Sequence, residues 1–409
     1  MTRRPHDPPT HDPPTHETPT LVPFDQDVTH AMRRILIRLS LALLALAAGI
    51  APAAALETKA REAVVMDYNT GTVLFEKNAR KPMPPASMTK IMTAYVIFDR
   101  LKNGDLSMSD KFVVSEKAWR KGGSKMFVEV GKELTVENLL QGMIVQSGND
   151  ASIVLAEGVA GSEEAFAGVM NEYAEKLDMP ATNFRNATGW PDETHRTSAL
   201  GLARLARALI RDFPEYYERF YSQREFTWND IRQYNRNPLL RRNMGVDGLK
   251  TGYTRNAGYG LTASAERNGR RVISVVNGLE RPSGRENESA RLIEWAFREF
   301  KNVELFAAGE TVEQAEVWLG SQPRVPLITD ERLEMTLPSD ATDSMTVTVN
   351  YEAPVPAPIE AGEELATLTI EAPNIETQTI PLKAGDTVTQ LGPFGRIVSG
   401  VEYLVFGAP

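Results

Sequence analysis

Three short combinations of hydroxyl, amine and amide side chains stand out: Ser87-Met88-Thr89-Lys90, Ser147-Gly148-Asn149 and Lys250-Thr251-Gly252, their first residues 60 and then 103 apart. A serine hydroxyl is a weak nucleophile until a neighbouring base takes its proton. Residues three apart on a helix are neighbours, so a helical start here lets the Lys90 amine reach the Ser87 hydroxyl. The positive end of a helix disfavours a cation, and burial disfavours it further; both push the lysine toward a neutral amine able to act as that base. The same residues admit a plainer reading, with Ser87 as an N-cap and Lys90 as a surface charge. A capping box, however, calls for Glu or Gln three residues after the cap, where this chain carries a cation.

Ser147-Gly148-Asn149 follows an apolar stretch containing Leu139, Leu140, Met143, Ile144 and Val145, and would present a hydroxyl and an amide at a polar loop tip. Taken singly it is an ordinary loop. If Lys250-Thr251-Gly252 lies on an edge strand, alternation sends Lys250 and Gly252 to one face, with Gly252 allowing a substrate backbone to approach. A surface strand accounts for that tripeptide equally well.

Composition narrows the chemistry. The chain has no cysteine, which excludes thiol catalysis, disulfides and thiolate metal sites. Of five histidines, His6, His11, His16 and His30 lie near the N-terminus and only His195 in the body of the chain, so a two-histidine zinc site is excluded and a Ser-His-Asp triad would have one candidate. His195 itself reads as a loop residue, since nothing in the sequence places it near Ser87. No metal and no organic cofactor is implied. Acidic residues outnumber basic ones by 54 to 45, against the clustered positive charge a nucleic-acid partner requires.

The elements that must position these groups follow from periodicity. Ala86 to Asp99, Glu137 to Ala160 and Leu200 to Arg211 carry apolar residues at helical spacing. Val64 to Tyr68 leads through Asn69-Thr70-Gly71 into Thr72 to Phe75, a hairpin pattern. Tyr259 to Glu266 and Arg271 to Asn277 flank Asn268-Gly269, a favoured turn between strands. Beyond Phe300 polar and apolar residues alternate between prolines, as in Ser344 to Tyr351 and Thr367 to Ile370, which predicts a small all-β domain. The boundaries expected are 56–300 for a catalytic domain and 301–388 for the β domain.

Residues 32–55 hold Met32-Arg33-Arg34, an apolar run from Leu39 to Ile50 and Ala53-Ala54-Ala55, the order of a cleavable export signal. An uncleaved anchor is the competing reading. Residues 1–31, with a tandem His-Asp-Pro-Pro-Thr, read as a disordered extension or as translation assigned from too early a start. In 389–409, Phe394, Ile397, Val398, Val401, Leu404 and Val405 share one helical face opposite Arg396, Ser399 and Glu402. Such a helix suits a membrane interface, or packs on its own domain.

Together, in this order and spacing, the three motifs resemble the active-site set of the penicillin-recognising serine enzymes, where Ser-x-x-Lys, Ser-x-Asn and Lys-Thr-Gly line one cleft. The similarity extends to Gln146-Ser147-Gly148-Asn149-Asp150-Ala151 and Val246-Asp247-Gly248-Leu249-Lys250-Thr251-Gly252, and covers the chain from about Leu56 to its end. It resembles the D-Ala-D-Ala carboxypeptidase branch of the low-molecular-mass penicillin-binding proteins, serine peptidase family S11. The fold implied is mixed α/β: a β-lactamase/DD-peptidase-like domain with an antiparallel sheet flanked by helices, an all-β C-terminal domain and a terminal amphipathic helix.

The resemblance also implies roles. Ser87 would attack the carbonyl between two D-alanines of a peptidoglycan stem peptide, Lys90 would take its proton, and the backbone N–H groups of Ser87 and Tyr253 would hold the oxyanion. Ser147 would help carry a proton to the leaving amine, and Asn149 would contact the peptide. Lys250, Thr251, Gly252 and Tyr253 would line the substrate site, and Arg236 and Arg285 match arginines near it, though surface arginines are commonly no more than solvated charges. Tyr253 stands where the family often has histidine, a departure expected to alter substrate preference more than mechanism. β-Lactams would be covalent inhibitors, and the protein would be periplasmic, held at the outer face of the inner membrane. Rival readings are a β-lactamase, for which no segment supplies the dedicated carboxylate, a crosslink-cutting endopeptidase, and a catalytically idle wall-binding module.

Overall fold

The computed structural model describes residues 56–340, 345–371 and 377–397. The expected extension at 1–31, the expected export signal at 32–55 and most of the segment 389–409, expected to be helical, lie outside them. A five-stranded sheet organises the first part of the chain. Its strands are β1 Glu62–Asp67, β2 Val73–Lys77, β3 Val246–Thr254, β4 Gly258–Arg267 and β5 Arg270–Leu279, in the order β2-β1-β5-β4-β3 with every pair antiparallel. The β4–β5 turn has Asn268 and Gly269 at φ 50° and 78°, two successive left-handed residues as a type I′ hairpin requires. β3 is an edge strand, as Lys250-Thr251-Gly252 demands if it is to face a cleft.

The helices are α1 Lys90–Lys102, α2 Glu116–Arg120, α3 Val136–Val145, α4 Asn149–Ala160, α5 Glu163–Lys176, α6 Ala199–Asp212, α7 Pro214–Tyr221 and α8 Pro282–Glu299. α6 packs on one face of the sheet and α8 against β4 and β5, so central strand residues such as Val272, Ile273, Val275 and Val276 are all buried. α1 is buried from Lys90 through Phe98 with no polar side, the pattern of a helix enclosed by others. Because its N-terminus carries the Ser87 turn, this enclosure takes Lys90 out of water.

The stretch 137–160, helical by periodicity, is two helices rather than one. Gln146-Ser147-Gly148 breaks it, with Ser147 at φ 67°. A left-handed serine ends α3 and turns its hydroxyl away from the apolar stripe.

From Phe300 the described chain is β-rich. β6 Phe300–Phe306 pairs with β9 Leu333–Pro338, and a six-stranded sheet runs β10 Thr346–Asn350, β12 Glu364–Glu371, β13 Gln378–Ala384, β8 Arg324–Ile328, β7 Thr311–Trp318 and β11 Val355–Pro356. These strands enclose a second core that includes Val325, Leu327, Leu337, Leu368 and Leu382. The two cores meet through a polar knot centred on buried Asp67. Its carboxylate takes Arg270 Nε at 2.9 Å and Asn302 Nδ2 at 3.1 Å, while Thr70 Oγ1 meets Thr336 Oγ1 at 2.7 Å.

Candidate active site

Ser87 lies in a 3₁₀ turn, Ala86–Thr89, that runs directly into α1 at Lys90. Neither helix start has a side-chain cap, so Ser87 is not the N-cap that the plainer reading would make it. Ala86, immediately before it, sits at φ 49°, a left-handed conformation that a non-glycine residue keeps only where its surroundings impose it. Those surroundings are close. A Cβ on Gly252 of β3 would stand 2.8 Å from the Pro85 oxygen and 3.2 Å from Ala86 Cβ. A Cβ on Gly189, itself at φ 78°, would stand 1.8 Å from the Ala86 oxygen. The absence of a side chain at 252 is what lets β3 lie against the Ser87 turn.

Lys90 is fully buried, and its Nζ stands 3.2 Å from Ser87 Oγ, 2.8 Å from Asn149 Oδ1 and 2.6 Å from the Thr188 carbonyl oxygen. Burial first, then the Arg236 guanidinium, lowers its pKa from 10.5 to about 7, against the opposing pull of Asp150 and Glu163. Asn149 Nδ2 donates to the Gly122 oxygen at 2.9 Å, which fixes its other atom as an acceptor toward Lys90. Asp150, next to it, accepts the backbone N–H groups of Met126, Phe127 and Val128 and so pins the loop opposite.

Lys250 is buried on β3 and donates to Ser147 Oγ at 2.9 Å and to the Thr251 oxygen at 3.2 Å. Burial, reinforced by Lys90, Arg236 and Arg285, holds it well below the usual lysine range. Three motifs scattered over the sequence thus share one cleft of about 680 Å³, lined among others by Ser87, Ser147, Asn149, Thr251, Gly252 and Tyr253. Arg236 and Arg285 line it as well. Arg285 Nη1 lies 3.5 Å from the Gly252 oxygen, and its guanidinium lies over Tyr259, on which Tyr253 stacks at 4.2 Å. No carboxylate is among the residues lining the cleft.

Several cleft residues were not singled out by sequence. Thr188, Gly189 and Trp190 belong to a turn in which Asn186 Oδ1 accepts three successive backbone N–H groups. The run Asn186-Ala187-Thr188-Gly189 is a turn signal, but nothing in it marks a carbonyl aimed at a lysine. His195 lies in a loop, as read from the sequence, but it is buried and packs against the Ser87 turn through Thr89. Its Nδ1 accepts Arg185 N–H at 3.0 Å, which leaves the proton on Nε2 to be donated to Thr89 Oγ1 at 2.9 Å. Burial lowers its pKa to about 4, so it is neutral, and it faces Thr89 rather than Ser87.

Residues 49–280 match the family model for D-alanyl-D-alanine carboxypeptidase, Peptidase S11. Residues 300–390 match the model for the penicillin-binding protein 5 C-terminal domain. The chain is 39% identical to D-alanyl-D-alanine carboxypeptidase DacC of Escherichia coli over 346 residues, covering 83% of this chain and 86% of that one. It is 36% identical to DacF of Bacillus subtilis over 340 residues, covering 82% and 87%. Among solved structures, penicillin-binding protein 5 of Haemophilus influenzae superposes with a TM-score of 0.76 at 34% identity, over 82% of this chain and 99% of that one. Penicillin-binding protein D2 of Listeria monocytogenes, solved in its ampicillin-bound form, gives 0.55 at 32% identity over 59% and 99%. A serine, two depressed lysines and a second serine on these elements, with likeness along most of the chain, place this protein in the S11 family of D-alanyl-D-alanine carboxypeptidases.

Proposed function

We propose that this chain removes the terminal D-alanine from peptidoglycan stem peptides through an acyl-enzyme on Ser87. The environment of Lys90 carries the reading. A neutral amine has two N–H bonds and one lone pair; Asn149 Oδ1 and the Thr188 oxygen are acceptors that engage the two N–H bonds, leaving the lone pair for the Ser87 hydroxyl. With a pKa of about 7, Lys90 is substantially neutral at physiological pH.

Ser87 Oγ then adds to the carbonyl between the two D-alanines as its proton passes to Lys90. The oxyanion is held by the backbone N–H groups of Ser87 and Tyr253. Collapse breaks the C–N bond, and the departing amine receives a proton by way of Ser147, oriented by Lys250. Lys250, Thr251, Arg236 and Arg285 face the carboxylate of the leaving residue, and Asn149 and Gly252 border the peptide. Water, deprotonated in turn, cleaves the ester and restores Ser87. β-Lactams present the same reactive carbonyl and would acylate the same oxygen. Without a carboxylate in the cleft to activate water, that adduct should persist, which separates this reading from a β-lactamase.

Residues 32–55 are proposed as an export signal, 56–300 as the catalytic domain, 301–388 as the β domain and 389–409 as a helix lying in the outer face of the inner membrane. Support for the last comes from Phe394 and Ile397, which open that segment 81% and 66% exposed. Among the described residues no helix is long and apolar enough to cross a membrane. Fluorescent penicillin should label the native chain and not Ser87→Ala, and a peptide ending in D-Ala-D-Ala should release free D-alanine. Absence of both would refute the proposal; cleavage of crosslinked dimers in place of D-alanine release would make the chain an endopeptidase.

A further inference from the structure

Glu163 opens α5 and is only 4% exposed, yet its carboxylate takes no part in the chemistry proposed for the cleft. An acid in the first turn of a helix ordinarily answers the positive end of the helix dipole from solvent. Glu164, 75% exposed and paired with Lys117 at 2.8 Å, already does so. Glu163 turns inward instead. Its Oε1 accepts the backbone N–H of Ala187 at 3.2 Å, and its Oε2 meets Lys117 Nζ of α2 at 3.1 Å.

Ala187 immediately precedes Thr188, whose carbonyl oxygen holds Lys90 Nζ at 2.6 Å. Both backbone groups of Ala187 are engaged: the N–H by Glu163, and the oxygen by Thr93 Oγ1 at 2.7 Å, one turn along α1 from Lys90. Ala187 is fully buried, so water cannot stand in for either partner. The Thr188 carbonyl therefore reaches Lys90 from a residue clamped between α5 and α1. Charge acts toward the same amine. Asp150 and Glu163 favour its protonated form, whereas Arg236 and Lys121 oppose it, and Lys90 in turn discourages charge on Lys250 across the cleft. His195, neutral, faces Thr89. Of the two acids, Asp150 is spent on the backbone of the loop opposite, and Glu163 is the one joined to the turn that grips Lys90. The cations facing Glu163 itself are Lys117 and Lys121.

We infer that Glu163 is a positioning residue for the proposed base: it fixes the turn whose carbonyl orients the Lys90 amine, and its charge stabilises the ammonium that Lys90 becomes. The inference rests on the reading of Lys90 as the base. As Ser87 Oγ bonds to the substrate carbonyl carbon, its proton passes to Lys90 and a positive charge appears where no water can solvate it. A buried carboxylate nearby lowers the cost of that transfer. The same charge keeps more of the resting amine protonated, so acylation reaches its plateau at a higher pH than it would without Glu163. Glu163 touches none of the reacting atoms and acts through Lys90 and Thr188.

The test follows the rate of acylation by fluorescent penicillin, from about pH 5 to about pH 9, in the full-length chain and two variants. Each rate is normalised to the fraction labelled at completion, which reports folded protein. Glu163→Gln keeps an acceptor for the Ala187 N–H but removes the charge, so the midpoint should move to lower pH. Glu163→Asp keeps the charge but draws the oxygen back by the length of a methylene. Its midpoint should lie nearer the native one, while its plateau rate falls about tenfold or more, the usual consequence of a displaced catalytic group. An unmoved midpoint in Glu163→Gln overturns the inference, because a merely structural part would leave it in place. A native plateau rate in Glu163→Asp overturns it as well, so either variant decides if the other fails to fold. A native chain that labels with no inflection near pH 7 overturns the assignment of Lys90 as base, a result distinct from both.

Discussion

Lys90 Nζ lies closer to the Thr188 carbonyl oxygen, at 2.6 Å, than to Ser87 Oγ, at 3.2 Å. The amine proposed as the base is therefore held by a turn distant in sequence as well as by the serine three residues away. Lys90→Arg keeps the positive charge but cannot become neutral near pH 7. We expect acylation by fluorescent penicillin to fall about 10²–10⁴-fold, the usual worth of a general base. A variant acylating within threefold of the native rate would remove Lys90 from that role.

With the Lys90 pKa lowered to about 7, acylation should rise with pH through an inflection near 7. The linkage to stability has the same sense. The unfolded lysine stays protonated up to about 10.5 while the native one has released its proton, so the unfolded state binds more protons between the two values and stability rises with pH across that window. Chemical denaturation at pH 7 and pH 10 should show this rise reduced in Lys90→Met relative to the native chain.

Gly252→Ala tests the contact between β3 and the nucleophile turn. The new Cβ would meet the Pro85 oxygen at 2.8 Å, and backbone must shift to admit it. Overpacking of this kind costs roughly 1–3 kcal/mol. Thermal melting should show that loss, and penicillin acylation should slow more than tenfold because the shift falls beside Ser87. Native acylation in the variant would mean that the turn tolerates displacement.

His195→Ala removes one partner from each of two groups, the Arg185 N–H and the Thr89 hydroxyl. A buried polar group left unpaired costs about 1–3 kcal/mol. Denaturant unfolding should register a loss of that order, and because His195 is neutral above about pH 4, the pH profile of acylation near 7 should keep its midpoint. A displaced midpoint would give His195 a part in the proton transfer.

Asp67→Asn should loosen the join between the two cores, since Arg270 loses the carboxylate it meets at 2.9 Å and is only 12% exposed. Removing one partner of a buried pair costs roughly 3–5 kcal/mol. Calorimetry should show a lower and broader transition, and a melting profile identical to native would assign the join to other contacts.

Much of this arrangement is legible in the residues because strands and helices report their own periods. Asn268-Gly269 places a hairpin turn, and the alternation after Phe300 marks a change to β structure. The three motifs were visible as residue types, but only the fold brings Ser147 within 2.9 Å of Lys250. What sequence did not disclose is long-range and carried by backbone. The Thr188 carbonyl has no side-chain signature, and the demand for glycine at 189 arises from an oxygen 103 residues earlier in the chain, at Ala86. His195 is the loop residue it was read as, but its burial was not legible because its partners, Arg185 N–H and Thr89, become neighbours only after folding. The break at Ser147 was legible in Ser147-Gly148-Asn149 as a loop tip but not in the apolar periodicity, because α3 and α4 are both apolar and only three residues separate them.

Lys90 and Lys250 lie near enough that charge on the first discourages charge on the second. A pocket so arranged has little capacity to retain hydrogen ions: one accepted from a hydroxyl makes a second harder to keep. On the proposed mechanism the natural outlet is the nitrogen that departs with the cleaved residue, so each cycle would empty the site as it discharges its product.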